Sequence, residues 1–262
     1  MKKKFEGKVV VISGASSGIG FALAQRLKNE GAKVYDISKV VKESDIFEKV
    51  FQCDISDDAR MKEVVDEILA KEQNIDYLFC NAGFGICGLV ENATIDAIDS
   101  IMNVNLLAHM KMTKLFLKHI SVGGKIVFTG SQASIIPLPY QACYSASKAG
   151  IESFARAIAT EVKPRKIKVV TFMPGDTNTG FTDARIKQID GGAKEKRGIE
   201  KMEKAERKGR TPDYVAKRVI KVVKKKNPPL RVSIGPEWKI VAGLVKIVPV
   251  RLLKFLVEKI YI

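Results

Sequence analysis

The sequence predicts a single α/β domain built on a doubly wound parallel sheet with helices on both faces. Short apolar runs rich in β-branched residues alternate with amphipathic helical segments along most of the chain. This alternation builds right-handed βαβ units around a buried parallel sheet. The length of 262 residues suits one large domain. The hydrophobic share of 46% is enough for a core and excludes a disordered chain.

The first half of the chain contains four predicted strands. Lys8–Ser13 (KVVVIS) is apolar and β-branched, as a buried parallel strand should be. A glycine-rich turn follows, and then a helix that stops at Gly31. The segments AKVYDIS, KVFQCDIS and IDYLFCNAG continue the sheet, with a helix over Asp57–Lys71 between the last two.

The second half repeats the pattern with longer helices. We expect a helix over Thr94–Ile120, the strand GGKIVFTGS, a helix over Ser145–Glu161, the strand KIKVVTFMPG and a short last strand at Leu230–Ile234. Ligands of such sheets bind beyond the carboxyl ends of the strands. Each motif described below lies at such a strand end or begins the following helix.

Two segments fit the alternation less well. Gly180–Arg210 is charged and punctuated by glycine, which indicates a mobile excursion. The tail, Trp238–Ile262, is apolar but interrupted by charges and by Pro249, which excludes a spanning helix. After Pro249 its apolar residues fall on one helical face. We therefore expect a main domain over residues 1–237 and an amphipathic extension over 238–262.

The chain is strongly basic, with 45 lysines and arginines against 29 acidic residues and a net charge of +16. Such a charge suits an anionic membrane, a nucleic acid, a phosphate-rich ligand or simply a solvated surface. The basic residues lack interleaved aromatics, which argues against nucleic acid.

The four cysteines have no C-x-x-C spacing, and with the two histidines they form no metal-ligand pattern. The apolar run near the N-terminus is too short for a secretory signal, so we expect a reducing, cytoplasmic location.

Gly14, Gly18 and Gly20 form a G-x-x-x-G-x-G pattern at a strand-to-helix junction. Glycines there let the chain turn sharply and let a pyrophosphate approach the backbone, while the helix N-terminus offers unpaired N–H groups. The pattern is not a P-loop, because no G-K-[ST] follows. A tight turn without a ligand is the alternative interpretation.

This loop (SGASSGIG) resembles the TGxxxGxG loop of the short-chain dehydrogenase/reductase family, and other motifs agree with that family in order and spacing over about residues 5–235. These motifs are CDIS with Asp54, NAG with Asn81, Ala82 and Gly83, NVNLLA with Asn105, GSQAS with Ser131, YSASK with Tyr144 and Lys148, and MPG with Pro174 and Gly175. The resemblance implies a Rossmann-fold oxidoreductase that interconverts an alcohol and a ketone or aldehyde by hydride transfer.

The resemblance also implies the cofactor NADP(H), with NAD(H) still open. Ser38 and Lys39 follow the second strand, where a small residue and a basic one accommodate a 2′-phosphate. Asp36 comes two residues earlier and by strand alternation faces elsewhere. A second NADP signal, a basic residue before the middle glycine, is replaced by Ser17. The expected cofactor contacts are Gly14, Ser16, Ser17, Gly18, Ile19, Gly20, Ser38, Lys39, Asp54, Ile55, Asn81, Ala82, Gly83, Tyr144, Lys148, Pro174, Gly175, Thr177 and Thr179.

Tyr144 and Lys148 are four residues apart (148 − 144), which places them on one face of a helix. A tyrosine has a pKa of about 10. A neighbouring ammonium lowers it, so we expect Tyr144 to serve as the acid or base. By resemblance Lys148 also holds the nicotinamide ribose, Ser131 binds the substrate oxygen, and Asn105 holds a water linked to Lys148. The rivals that spacing and context disfavour are Ser134, Asn103 and Tyr140.

By resemblance the segment 180–210 acts as a lid over the substrate. The expected pocket wall is apolar and consists of Phe84, Ile86, Ile135, Ile136, Pro137, Leu138 and Pro139. Such a wall favours a hydroxysteroid-, retinol- or fatty-acyl-like substrate.

The family also implies a homodimer or homotetramer. The tail is similar to those of steroid and retinol dehydrogenases. It could pack on its own domain, contact a second subunit, cover the pocket or attach to an anionic membrane. The rival functions are a non-catalytic dinucleotide-binding regulator and a basic binder of membranes or nucleic acids.

Overall fold

The computed structural model describes residues 3–245 and 247–262, and its elements follow the predicted alternation. The strands are β1 (Val9–Ser13), β2 (Lys33–Ser38), β3 (Lys49–Gln52), β4 (Ile75–Cys80), β5 (Ile86–Cys87), β6 (Ile120–Thr129), β7 (Lys168–Pro174), β8 (Ile186–Lys187) and β9 (Arg231–Ile234). The helices are α1 (Gly18–Asn29), α2 (Asp58–Glu72), α3 (Ile95–Met102), α4 (Ala108–Leu117), α5 (Ala142–Glu161), α6 (Gly192–Arg207), α7 (Pro212–Val223), α8 (Pro236–Leu244) and α9 (Val250–Tyr261).

Within the described residues, seven strands form a parallel sheet in the order β3-β2-β1-β4-β6-β7-β9. The strand order reverses beside β1, where Val10 pairs with Val34 of β2 on one side and with Tyr77 of β4 on the other. The predicted α/β domain with a doubly wound sheet is therefore confirmed. A crevice forms at such a reversal, beyond the carboxyl ends of the strands.

Both faces of the sheet are covered by helices. All five residues of β1 are buried. Val9 and Val11 join the core beneath α2, α4 and α5, whereas Val10 and Ile12 join the core beneath α1 and α7. Successive side chains of a strand point to opposite faces, so a sheet covered on both sides requires a continuous apolar run. Polar motifs are consequently confined to the strand ends.

The long helix expected over residues 94–120 is present in three parts. Thr94 Oγ1 accepts a hydrogen bond from Ala97 N at 3.2 Å and caps α3. A π-helical turn, Asn103–Leu107, then joins α3 to α4. Such turns occur frequently at functional sites, and this one contains Asn105.

The segment 180–210, expected to be a mobile excursion, contains β8 and the 16-residue helix α6. Ion pairs from outside the helix hold it in place: Arg185 binds Glu206, and Lys187 lies 2.7 Å from Glu203. A run of charged residues does not reveal these partners. The charged composition therefore did not reveal the helix.

The tail forms α8 and α9. Lys201 of α6 donates a hydrogen bond at 2.6 Å to the carbonyl of Ile260, so the end of α9 is attached to α6. Within the part of the chain that the structure describes, no helix is both long enough and apolar enough to cross a membrane.

Candidate active site

A cavity of about 640 Å³ opens beyond the carboxyl ends of β1, β2, β3, β4, β6 and β7. Every residue expected to contact the cofactor lines this cavity. Ser131, Tyr144 and Lys148 line it as well, whereas Asn105 is fully buried outside the lining. The structure thus brings the motifs of six separate strand ends to one place.

The glycine loop leaves room for a diphosphate. Gly18 has a φ of +54°, and a Cβ there would stand in the gap between the loop and the side chain of Thr179, 3.6 Å from it. Helix α1 begins at Gly18, and Ser17 provides no side-chain cap. The first N–H groups of α1 are therefore available to an anion, and the loop fits a dinucleotide.

The end of β2 carries the residues expected to select the coenzyme. Asp36 is fully buried and accepts hydrogen bonds from Ala15 N at 2.8 Å and from Ser38 Oγ at 2.7 Å. Burial raises the pKa of Asp36 to about 6. Lys39 is exposed, and its Nζ lies 2.9 Å from Asp54 Oδ2. The Ser38 hydroxyl is engaged with Asp36. Lys39 presents the positive charge at this end of the cavity.

Asn81 joins three strand ends beneath the cavity. Its Nδ2 donates to the carbonyls of Ser13 at 3.2 Å and Gly14 at 3.0 Å, and its Oδ1 accepts from Thr129 Oγ1 at 3.0 Å. These contacts fix the glycine loop of β1 against β4 and β6. The Asn81 amide is therefore a scaffold of the site as well as part of its lining.

Tyr144 and Lys148 lie on one face of α5, as predicted, but their polar groups are directed differently. Lys148 Nζ is 5.9 Å from the centre of the Tyr144 ring and donates a hydrogen bond to Thr129 O at 2.9 Å. Burial lowers the pKa of Lys148 to about 8. Burial raises the pKa of Tyr144 to about 12, although the adjacent Ser131 side chain lowers it. The expected lowering of the Tyr144 pKa is therefore wrong for the protein alone, because desolvation dominates.

The structure distinguishes Ser131 and Tyr144 from their rivals. Ser131 Oγ accepts a hydrogen bond from Ala133 N at 3.1 Å and faces the cavity. Ser134 lies outside the lining, and its hydroxyl is 3.0 Å from Glu152 Oε2. Tyr140 packs in a separate cluster with α6 residues.

Asn105 supports the cavity from behind. Its Oδ1 accepts from Phe84 N at 3.0 Å, and its Nδ2 donates to Phe84 O at 2.9 Å. His109, also buried, donates from Nε2 to Ala82 O at 2.7 Å. Asn103 is exposed on the opposite side of the π turn. The buried side chains of Asn105 and His109 therefore hold in place the segment that follows β4.

The expected apolar wall is only partly correct. Phe84 and Leu138 line the cavity, whereas Ile86, Ile135, Ile136, Pro137 and Pro139 do not. The segment 180–210 supplies apolar lining in their place, from Phe181, Ile186 and Met202. Their contribution depends on how α6 folds back over the sheet, which no local pattern records.

Several polar and aromatic lining residues were not anticipated. The main ones are Gln132, Asp176, Glu206 and Trp238. The indole of Trp238 packs so closely on Gly175 that a Cβ on this glycine would overlap Nε1. Trp238 is the single tryptophan of the chain, a signal that could have drawn attention to it.

Comparisons with known proteins agree with this geometry. The family model for short chain dehydrogenase matches residues 8–190. A 3-ketodihydrosphingosine reductase of Bacteroides thetaiotaomicron is 35% identical over 237 residues, which cover 87% of this chain and 88% of that protein. A probable tetrahydroxynaphthalene reductase of Zymoseptoria tritici is 31% identical and covers 71% of this chain and 74% of its own length.

Solved structures are similar over nearly the whole chain. A short chain dehydrogenase from Burkholderia cenocepacia in complex with NADP matches with a TM-score of 0.72 at 28% identity, covering 88% of this chain and 97% of that one. One from Streptomyces avermitilis matches with a TM-score of 0.83 at 21% identity, covering 95% and 97%, which supports the fold alone.

Proposed function

Because this chain belongs to the short-chain dehydrogenase/reductase family, we propose that it is an NADP(H)-dependent reductase of a long-chain, hydrophobic ketone. The observation that carries the proposal is the single cavity in which Ser131, Tyr144 and Lys148 face the glycine loop. The non-catalytic regulator is not favoured, since such a protein has no use for a buried tyrosine and lysine at the same cavity.

In the proposed mechanism Tyr144 is the acid. A pKa of about 12 keeps its phenol protonated at neutral pH, so Tyr144 carries the proton that a carbonyl oxygen receives. A bound nicotinamide would supply the hydride that the carbonyl carbon receives. The Ser131 hydroxyl donates a second hydrogen bond to the same oxygen and stabilises its developing charge. Lys148 would hold the nicotinamide ribose and keep a positive charge near Tyr144 as the proton leaves, and Asn105 would order the water expected beside Lys148.

The substrate class follows from the cavity wall and the relatives. The apolar contacts come from Phe84, Leu138, Phe181 and Met202. A relative with 35% identity is named a 3-ketodihydrosphingosine reductase. The test measures NADPH consumption with three separate substrates. The first is 3-ketodihydrosphingosine, the second is a long-chain ketone that lacks other polar groups, and the third is a small polar ketone. Turnover confined to the small ketone would contradict the proposed class.

The coenzyme preference rests on Lys39, whose ammonium stands at the cavity beside the expected 2′-phosphate position.

The proposed organisation is a catalytic domain over 1–237, with 180–210 as the substrate lid, and an extension over 238–262. The proposed assembly is a cytoplasmic homodimer or homotetramer formed through the long helical segment and α5.

We also propose that the extension makes a peripheral membrane contact. Its outward apolar residues are exposed, namely Ile240, Leu244, Ile247, Val250, Leu252, Phe255, Leu256, Ile260 and Ile262. Its cationic residues are Lys239, Lys246, Arg251, Lys254 and Lys259. Apolar side chains flanked by cations suit the interface of an anionic bilayer.

A further inference from the structure

A carboxylate without a cation lines the reaction cavity. Asp176 directly follows Gly175 at the end of β7 and is half-buried. Among the described residues, no lysine, arginine or histidine forms an ion pair with it. The neighbouring cations are engaged elsewhere, since Arg185 binds Glu206 and Arg210 binds Glu237. In a chain of net charge +16, an unpaired carboxylate at this position requires an explanation.

The surroundings of Asp176 are acidic. Burial raises its pKa, and the charges of Glu206 and Glu237 raise it further. Glu206 lines the same cavity and also acts electrostatically on Tyr144, so the acidic wall extends to the reaction centre. A buried carboxylate next to two others is stabilised when a cation comes from outside.

A second lining side chain lacks a donor. Gln132 is 5% exposed, and its Nε2 donates to Met173 O at 3.0 Å. This bond fixes the orientation of the amide, because a carbonyl accepts only from the NH₂ end. Its Oε1 then has no hydrogen-bond partner among the described residues. A buried acceptor without a donor is costly and indicates that a ligand supplies one.

We propose that this cavity selects a ketone that carries a protonated amine on the carbon next to the carbonyl, and that Asp176 binds the ammonium. The inference rests on the proposed ketone reduction and names its substrate class. 3-Ketodihydrosphingosine has this arrangement, with an amine beside the ketone and a hydroxyl one carbon further. The ammonium donates to the Asp176 carboxylate, and the hydroxyl supplies a donor for Gln132. Asp176 takes no part in the proton or hydride transfer.

The test compares 3-ketodihydrosphingosine with its N-acetyl derivative and with the ketone of equal length that lacks the amine. In Asp176→Asn we expect KM for the amino ketone to rise roughly 10- to 100-fold, the loss typical of a hydrogen bond between charged groups. The kcat should change little, and KM for the two uncharged ketones should stay near the wild-type value. The matched control is Asp190→Asn, which removes an exposed carboxylate outside the cavity.

A binding measurement separates recognition from turnover. Trp238 lines the cavity and is the single tryptophan, so its fluorescence reports ligand binding directly. Dihydrosphingosine should quench it in the wild type and far more weakly in Asp176→Asn.

Two results would overturn the inference alone: equal losses for charged and uncharged ketones in Asp176→Asn, or no loss for either. Wild-type protein that consumes NADPH with none of the ketones would overturn the proposed function as well.

Discussion

At the scale of single residues, the pKa values of the polar groups in the site depend more on burial than on sequence spacing. The spacing of Tyr144 and Lys148 correctly predicts a shared helical face. It does not predict that Lys148 donates to Thr129 or that burial raises the pKa of Tyr144 to about 12. Desolvation depends on what covers a side chain, and the ring of Phe181, from the distant segment 180–210, packs 5.7 Å from the Tyr144 ring.

Lys39 should govern the coenzyme preference. Lys39→Glu places a negative charge where the 2′-phosphate is expected, so KM for NADPH should rise at least about tenfold, the effect of losing a charge-assisted contact. The KM for NADH should change little. Steady-state kinetics with both coenzymes measure this, and Lys62→Glu on α2 makes the same charge change outside the cavity. A parallel loss with both coenzymes would contradict the role.

His109 should make the protein sensitive to acid. Burial, helped by the charge of Lys148, lowers the pKa of this histidine to about 4 from an ordinary 6.5. Between these values the unfolded chain binds a proton that the folded protein does not. Stability is therefore present above pH 6.5 and falls as the pH drops towards 4, by on the order of 3 kcal/mol.

Urea unfolding at several pH values measures this loss. His109→Gln should flatten the profile, whereas the control His119→Gln, at a half-buried position, should keep the wild-type slope. An unchanged profile in His109→Gln would assign the acid sensitivity to other groups.

At the scale of elements, strands and long amphipathic helices were predictable, and the lid was not. Continuous apolar runs locate β1, β4 and β7 within a few residues because both faces of the sheet are covered. Helix α6 is charged, and two residues outside it, Arg185 and Lys187, pair with its glutamates. Composition alone cannot identify tertiary ion pairs, and so helix α6 was not predicted.

The tail should bind anionic vesicles without being required for folding. Full-length protein should float with vesicles that contain anionic lipid, less so at high salt, because cations contribute to the attraction. Truncation after Val248 removes α9 and should abolish flotation. Leu256→Glu, which adds a charge to the exposed apolar face, should weaken it strongly. Flotation that survives the truncation, or is absent in the full-length protein, would contradict the membrane contact.

At the scale of the whole molecule, the alternation of strands and helices was sufficient to predict the sheet. The site was predictable where it depends on strand ends, because parallel topology brings those ends together. Glu206 and Trp238 were not predictable, since they reach the cavity only when α6 and α8 fold back over it. What folds back over a Rossmann sheet varies with packing and is not encoded by a short motif.

Coenzyme binding should stabilise the entire fold. A ligand that binds only the folded state adds about 2.7 kcal/mol at a concentration 100 times its Kd. Calorimetry with NADPH should therefore show a raised Tm. Gly18→Val, which fills the gap facing Thr179, should lose most of the shift. An equal shift in this variant would place the coenzyme elsewhere.

The most direct test of the central claim is the rate of NADPH consumption by Tyr144→Phe with 3-ketodihydrosphingosine as substrate. The variant lacks only the phenolic hydroxyl, so it should still bind NADPH and show the coenzyme-induced rise in Tm. Its kcat should fall by about 10²- to 10⁴-fold, the contribution of a general acid. Turnover at the wild-type rate would contradict the assignment of Tyr144 as the proton donor.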